Sequence, residues 1–138
     1  MFRLLVCAGL ALIACAAVAP HAAAQSKKVE ITMHWSGSVE DEKAIKPECL
    51  TSAKGLEAVW KAWKHKGDVP EVDFTKSMVV AVYSVGSKLT MARATLDGNG
   101  DLTVLGVGSR DIRPGFRYVL GVVSREGVKT VNKKDLPK

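Results

Sequence analysis

His34, His65 and Cys49 are the side chains after residue 24 best suited to nucleophilic or acid–base chemistry, and no local motif links them. A nucleophilic cysteine needs a base within hydrogen-bond reach. Neither histidine stands in a recognisable Cys-His signature. His34 falls on the polar side of an alternating run, with nothing at metal-ligand spacing beside it. Cys49 is the lone cysteine after Cys7 and Cys15, so within residues 25–138 it has no disulfide partner. It reads as a buried small hydrophobe, the alternative being a bridge to a second chain.

Two acidic clusters are weaker still. Glu40-Asp41-Glu42 are adjacent in a polar stretch, where carboxylates have no fixed geometry for two-carboxylate chemistry. Asp97, Asn99 and Asp101 match the opening of a calcium loop. The sixth position, however, needs glycine and holds Leu102, and the twelfth needs glutamate and holds Gly108. Gly-x-Ser-x-Gly, Ser-x-x-Lys, His-Glu-x-x-His and a phosphate-cradling glycine loop do not occur. The reading is a non-catalytic protein with no catalytic, cofactor or metal residues to assign.

The elements that would position any site are easier to read. Ser52 is a natural N-cap, and Leu56, Val59, Trp60 and Trp63 follow at i, i+3, i+4, i+7. The main helix is expected over 52–66, with Lys54, Lys61, Lys64 and His65 on its polar side and Gly67 as its stop. Tryptophan pairs invite a sugar-stacking reading, but these two lie on the apolar stripe and are expected in the core.

Val29, Ile31, Met33 and Trp35 alternate with polar residues, as in a strand wet on one face. Residues 37–50 read as an irregular polar connection. Met78–Tyr83 is a continuous apolar run, expected to be buried on both faces. Leu89–Leu96 and Leu102–Val107 flank the glycine-rich Asp97–Asp101 and read as a hairpin. Phe116, Tyr118, Leu120 and Val122 mark the inward face of a further strand, with a short last strand at Val128–Val131. Residues 132–138 read as a flexible basic tail.

Residues 1–24 carry Arg3, the apolar run Leu4–Val18 and the small-residue end Ala22-Ala23-Ala24, the pattern of a secretory signal peptide. Leu12-Ile13-Ala14-Cys15 resembles a lipobox, so a lipid anchor on Cys15 is the minority alternative. Export to the periplasm or medium is expected, with no transmembrane helix after processing. Residues 25–109 hold 11 basic and 11 acidic side chains, whereas 110–138 hold 8 basic and 3 acidic. That asymmetry favours an acidic partner at the C-terminal segment. Nucleic acid is not favoured, since no basic motif interleaved with aromatics occurs.

Val69-Pro70-Glu71-Val72-Asp73-Phe74, running into Met78–Val82 behind a Trp-bearing helix, resembles the domain of PrcB-like proteins over residues 52–125. The resemblance implies an exported, non-catalytic helix-plus-sheet module that binds and stabilises a protease. Where that family has a Gly-Gly-Tyr-type hairpin, this chain has Lys88-Leu89-Thr90-Met91-Ala92.

The combined expectation is one α+β domain over 25–138, an antiparallel sheet of five or six strands with the helix on one face. Its function is expected to be that of an exported binding or accessory module for a protease or other envelope protein. Arg110, Arg113, Arg117, Arg125 and Lys129 are the expected partner-binding residues, because arginine offers directional donors to carboxylates. Rival readings are a protease inhibitor, a small hydrolase using Cys49, and an envelope-lattice component.

Overall fold

The computed structural model describes residues 25–138. The signal-peptide and Cys15 readings lie outside the described residues. No helix among those described is long and apolar enough to cross a membrane.

The described residues are mostly β with one helix, and their strands fall into two sheets where a single sheet of five or six strands was expected. β1 (Lys27–Val29), β2 (Met33–Val39), β3 (Cys49–Leu50), α1 (Ala53–Ala62), β4 (Ser77–Ser84), β5 (Leu89–Leu96), β6 (Asp101–Gly108), β7 (Phe116–Ser124), β8 (Thr130–Val131) and β9 (Lys134–Asp135) follow in order. The first sheet runs β1-β5-β6-β8-β9 and the second β2-β7-β4-β3, with only β6 and β8 parallel.

The two sheets arise because the central strands carry apolar residues on both faces. On β4, Val79 and Ala81 point to the helix side, while Met78, Val80 and Val82 join a second core against the other sheet. β7 does the same, with Phe116, Tyr118, Leu120 and Val122 toward the helix. Its Val119 and Val123 face Ala94, Leu102, Val104 and Val131 of the other sheet. One helix cannot cover two apolar faces, so β5 and β6 fold over the second. The layers are therefore helix, four-stranded sheet, five-stranded sheet.

The alternating run at the start splits for the same reason. Val29 and Ile31 pack into the inter-sheet core, whereas Trp35 packs on the helix side, its ring 6.0 Å from that of Trp60. The chain changes sheets between β1 and β2. β2 also runs further than expected, to Val39, because Gly37 pairs with Tyr118 and leaves room for its ring.

α1 begins as its sequence predicts: the Ser52 side chain accepts from Gly55 N–H at 3.1 Å. It ends earlier than Gly67. Lys64 takes the left-handed conformation (φ 49°), with Lys64 N–H to Lys61 O at 3.1 Å and His65 N–H to Trp60 O at 3.0 Å. Those two bonds form a Schellman cap, with a lysine where glycine is usual. The reversal turns His65 off the polar face and stacks its ring on Trp60 at 3.8 Å.

Trp60 and Trp63 are core residues, 6% and 5% exposed. Each buried indole keeps a partner, Trp60 Nε1 to Gly67 O (3.1 Å) and Trp63 Nε1 to Ile45 O (2.9 Å).

The C-terminal segment is not a fraying tail. Asn132 Oδ1 accepts from Val104 N–H at 3.0 Å, and its Nδ2 donates to Glu48 at 3.1 Å. Lys134 pairs with the same Glu48 at 2.5 Å, and Thr51 Oγ1 donates to Pro137 O. Asn132 and Lys133 supply the positive-φ turn between β8 and β9. This hairpin ties the two sheets together.

Candidate functional site

A cleft opens between β2 and the start of β5, where the two sheets diverge. One end, about 340 Å³, is lined by Ile31, His34, Ser36, Thr90, Met91 and Val119. It shares Ser36, Leu89 and Thr90 with an outer part that adds Ser38, Ser87, Lys88 and Arg117. Strand alternation explains the lining. Trp35 and Val39 are taken by the helix-side core, so His34, Ser36 and Ser38 are left on the opposite face. Across the ladder they meet Gly121, Val119 and Arg117.

Arg117 is the distinctive group. It is half-buried, and Nη2 donates to Pro114 O at 2.5 Å, its only hydrogen bond among the described residues. Its Nε is buried without a partner. A guanidinium has five donors and cannot shed its charge, so this one is under-satisfied. Among the described residues no carboxylate lines the cleft, and Lys88 adds a second cation. The arrangement can hold an anionic group between Arg117, Lys88 and a row of hydroxyls.

Beside it, two loops brace each other. Asp111 Oδ1 accepts from Ser87 N–H (3.0 Å), Ser87 Oγ (3.1 Å) and the Ser109 hydroxyl, while Oδ2 takes Arg113 Nε at 3.0 Å. Arg113 N–H donates to Val85 O at 2.8 Å, and Lys88 and Ser109 exchange two further bonds. The Ser109 and Ser87 hydrogen bonds and the Arg113 guanidinium hold the Asp111 carboxyl well below the usual carboxylate range. The braced loop carries Ile112, which is 83% exposed.

The five expected basic residues divide between two ends of the molecule. Arg110, Arg113 and Arg117 lie at the cleft end, with Lys88, which the sequence reading missed. The sequence offered it only as the first residue of Lys88-Leu89-Thr90-Met91-Ala92, where the chain departs from the PrcB-like hairpin. Arg125 lies eight residues further along the chain from Arg117, roughly 27 Å at strand spacing. There Arg125 Nη1 donates to Phe74 O at 2.6 Å, bracing the loop before β4. Lys129 sits beside Gly100 in the β6 turn.

The other chemistry-bearing residues stay apart. Cys49 lies in the inter-sheet core, and burial pushes its thiol up to about 11, with Glu48 adding to the shift. It makes no hydrogen bond with either histidine. Asp97 spends Oδ1 on the N–H groups of Asn99 and Asp101, both at 2.9 Å, which is the work of a turn. No group of three or more His, Cys, Asp or Glu among the described residues is placed to hold a metal ion.

Comparison with protein-family models, curated proteins and solved structures finds no match. The arrangement itself must carry any functional reading.

Proposed function

We propose that this protein is an exported, non-catalytic binding or accessory module that recognises an acidic surface of an envelope or protease partner. The supporting observation is the cleft end itself. Lys88, Arg110, Arg113 and Arg117 gather there; Asp111 among them is engaged by two hydroxyls, a backbone N–H and Arg113, while Glu40 and Asp41 follow Ser38 just beyond the cleft wall. Positive charge on a braced scaffold speeds encounter with an acidic partner and costs little ordering entropy on binding. Changing Arg113 and Arg117 to Ser should weaken retention of the acidic partner and flatten its salt dependence, with a melting temperature within a few degrees of wild type. Unaltered retention would remove this surface from consideration.

A second reading, protease inhibition, draws on the Ser109–Arg113 loop, exposed at Ile112 and held by Asp111. An inhibitor needs one rigid projecting loop, since preorganisation reduces the cost of binding. Titration against a panel of extracellular proteases separates inhibition from association: a stoichiometric loss of activity, abolished by Ile112→Asp, would favour the inhibitor.

A further inference from the structure

We infer that the cleft between β2 and β5 receives an extended acidic segment of a partner protein, added as a strand to the outer edge of β2, with a carboxylate held by Arg117 and Lys88. This rests on the binding-module reading above and names where and how that binding occurs.

Two independent observations meet in this cleft. The first is an open edge. Among the described residues β2 is the last strand of its sheet, hydrogen-bonded to β7 on one side and to no strand on the other. Its seven residues carry no proline, bulge or lysine, the usual devices that block pairing at an edge. Among the same residues β5 is likewise unpaired on its outer side over Leu89–Met91, because β1 covers only Ala94–Leu96. An extended segment lying beside β2 at the mouth of the cleft can pair its backbone with that edge and turn alternate side chains into the cleft.

The second observation is charge. Among the described residues the Arg117 side chain makes one hydrogen bond, its Nε is buried without a partner, and no carboxylate lines the cleft. A carboxylate is the group that matches a guanidinium donor for donor. Ser36 and Ser38 supply hydroxyls on the β2 wall and Thr90 on the β5 wall. The cationic lining also disfavours β2 pairing with a second copy of itself, because each copy would bring its own Arg117 and Lys88 to the seam.

The test uses the ¹⁵N-labelled protein and a capped hexapeptide alternating glutamate and valine. Its lysine–valine counterpart and free glutarate are the controls. The expected result is saturable shifts of the Ser36, Ser38 and Thr90 amides with the acidic peptide and none with the basic one. Affinity should fall at least tenfold in Lys88→Glu, whose side chain is exposed and unpaired, and in Arg117→Gln.

Shifts confined to the Arg110–Arg113 loop would overturn the cleft while leaving the acidic-partner reading standing. No shift anywhere would count against both. Glutarate binding as tightly as the peptide would show a free-acid pocket and overturn strand addition. Dimerisation through β2 in sedimentation equilibrium would replace the partner segment with a second copy, overturning the proposal.

Discussion

Tyr118 and Gly37 face each other across the β2–β7 ladder, and the tyrosine ring fills the space where a side chain at residue 37 would stand. A Cβ there would come within 2.5 Å of the hydroxyl oxygen and 2.7 Å of the ring carbon bearing it. The same ring packs 4.4 Å from Trp63 and borders the cleft, so the fit joins the helix-side core to the site. Gly37→Ala should therefore cost about 1–3 kcal/mol, as overpacking does. Urea denaturation checks this, and a stability equal to wild type would refute the close fit.

Asn132 serves both sheets, one atom taking the Val104 N–H and another reaching Glu48. Replacing it with Ala leaves a β6 backbone donor without its partner, a loss of about 1–3 kcal/mol. Removal of residues 132–138 should lower the melting temperature further, since Lys134 and the Pro137 carbonyl go too. A truncated chain with an unchanged melting temperature would show that the hairpin holds nothing together.

Lys64 occupies the left-handed position that closes α1 (φ 49°). Glycine adopts that conformation without the Cβ clash, which costs other residues about 1–2 kcal/mol. Lys64→Gly should be stabilising by about 0.5–1 kcal/mol, the increment reduced by glycine's greater freedom when unfolded. Calorimetry would reveal the gain as a raised melting temperature.

Cys49 has its thiol raised to about 11 by burial. At pH 8 it should alkylate with iodoacetamide much more slowly in the native protein than in urea, because the thiolate is the nucleophile. Rapid native labelling would restore the nucleophile reading.

Asp111 carries a folded-state pKa below its unfolded value of about 3.9. A depressed carboxylate contributes stability above the unfolded value and loses it as pH falls through the folded one. Asp111→Asn should thus melt below wild type at pH 7, with the difference shrinking steadily below about pH 4. A pH-independent difference would mean that the charge is not what braces the loop.

Local signals were readable wherever a residue's role was set by its neighbours in the chain. Ser52 as N-cap, the Leu56–Trp63 stripe, the doubly buried β4 and the Asp97 turn depend on spacings of a few residues, which periodicity reports directly. The split of Val29–Trp35 was not readable. An apolar alternation tells that a face is buried but not against which layer, and here successive apolar residues serve different cores. The tail was misread for a similar reason: its polar composition suits solvent, yet Asn132 and Lys134 meet Glu48 across more than 80 positions.

Of the cleft, composition made only the charge excess legible. Its location was decided by the tertiary fold, because Lys88 and Arg117 come together through β4–β7 pairing and the turn into β5, contacts between distant parts of the chain. What the amino-acid order determined by itself was which residues seek the interior and which can cap or turn. Only the folded layers decided which edge stayed open and which arginine stayed unsatisfied, since both depend on what every other strand had already covered.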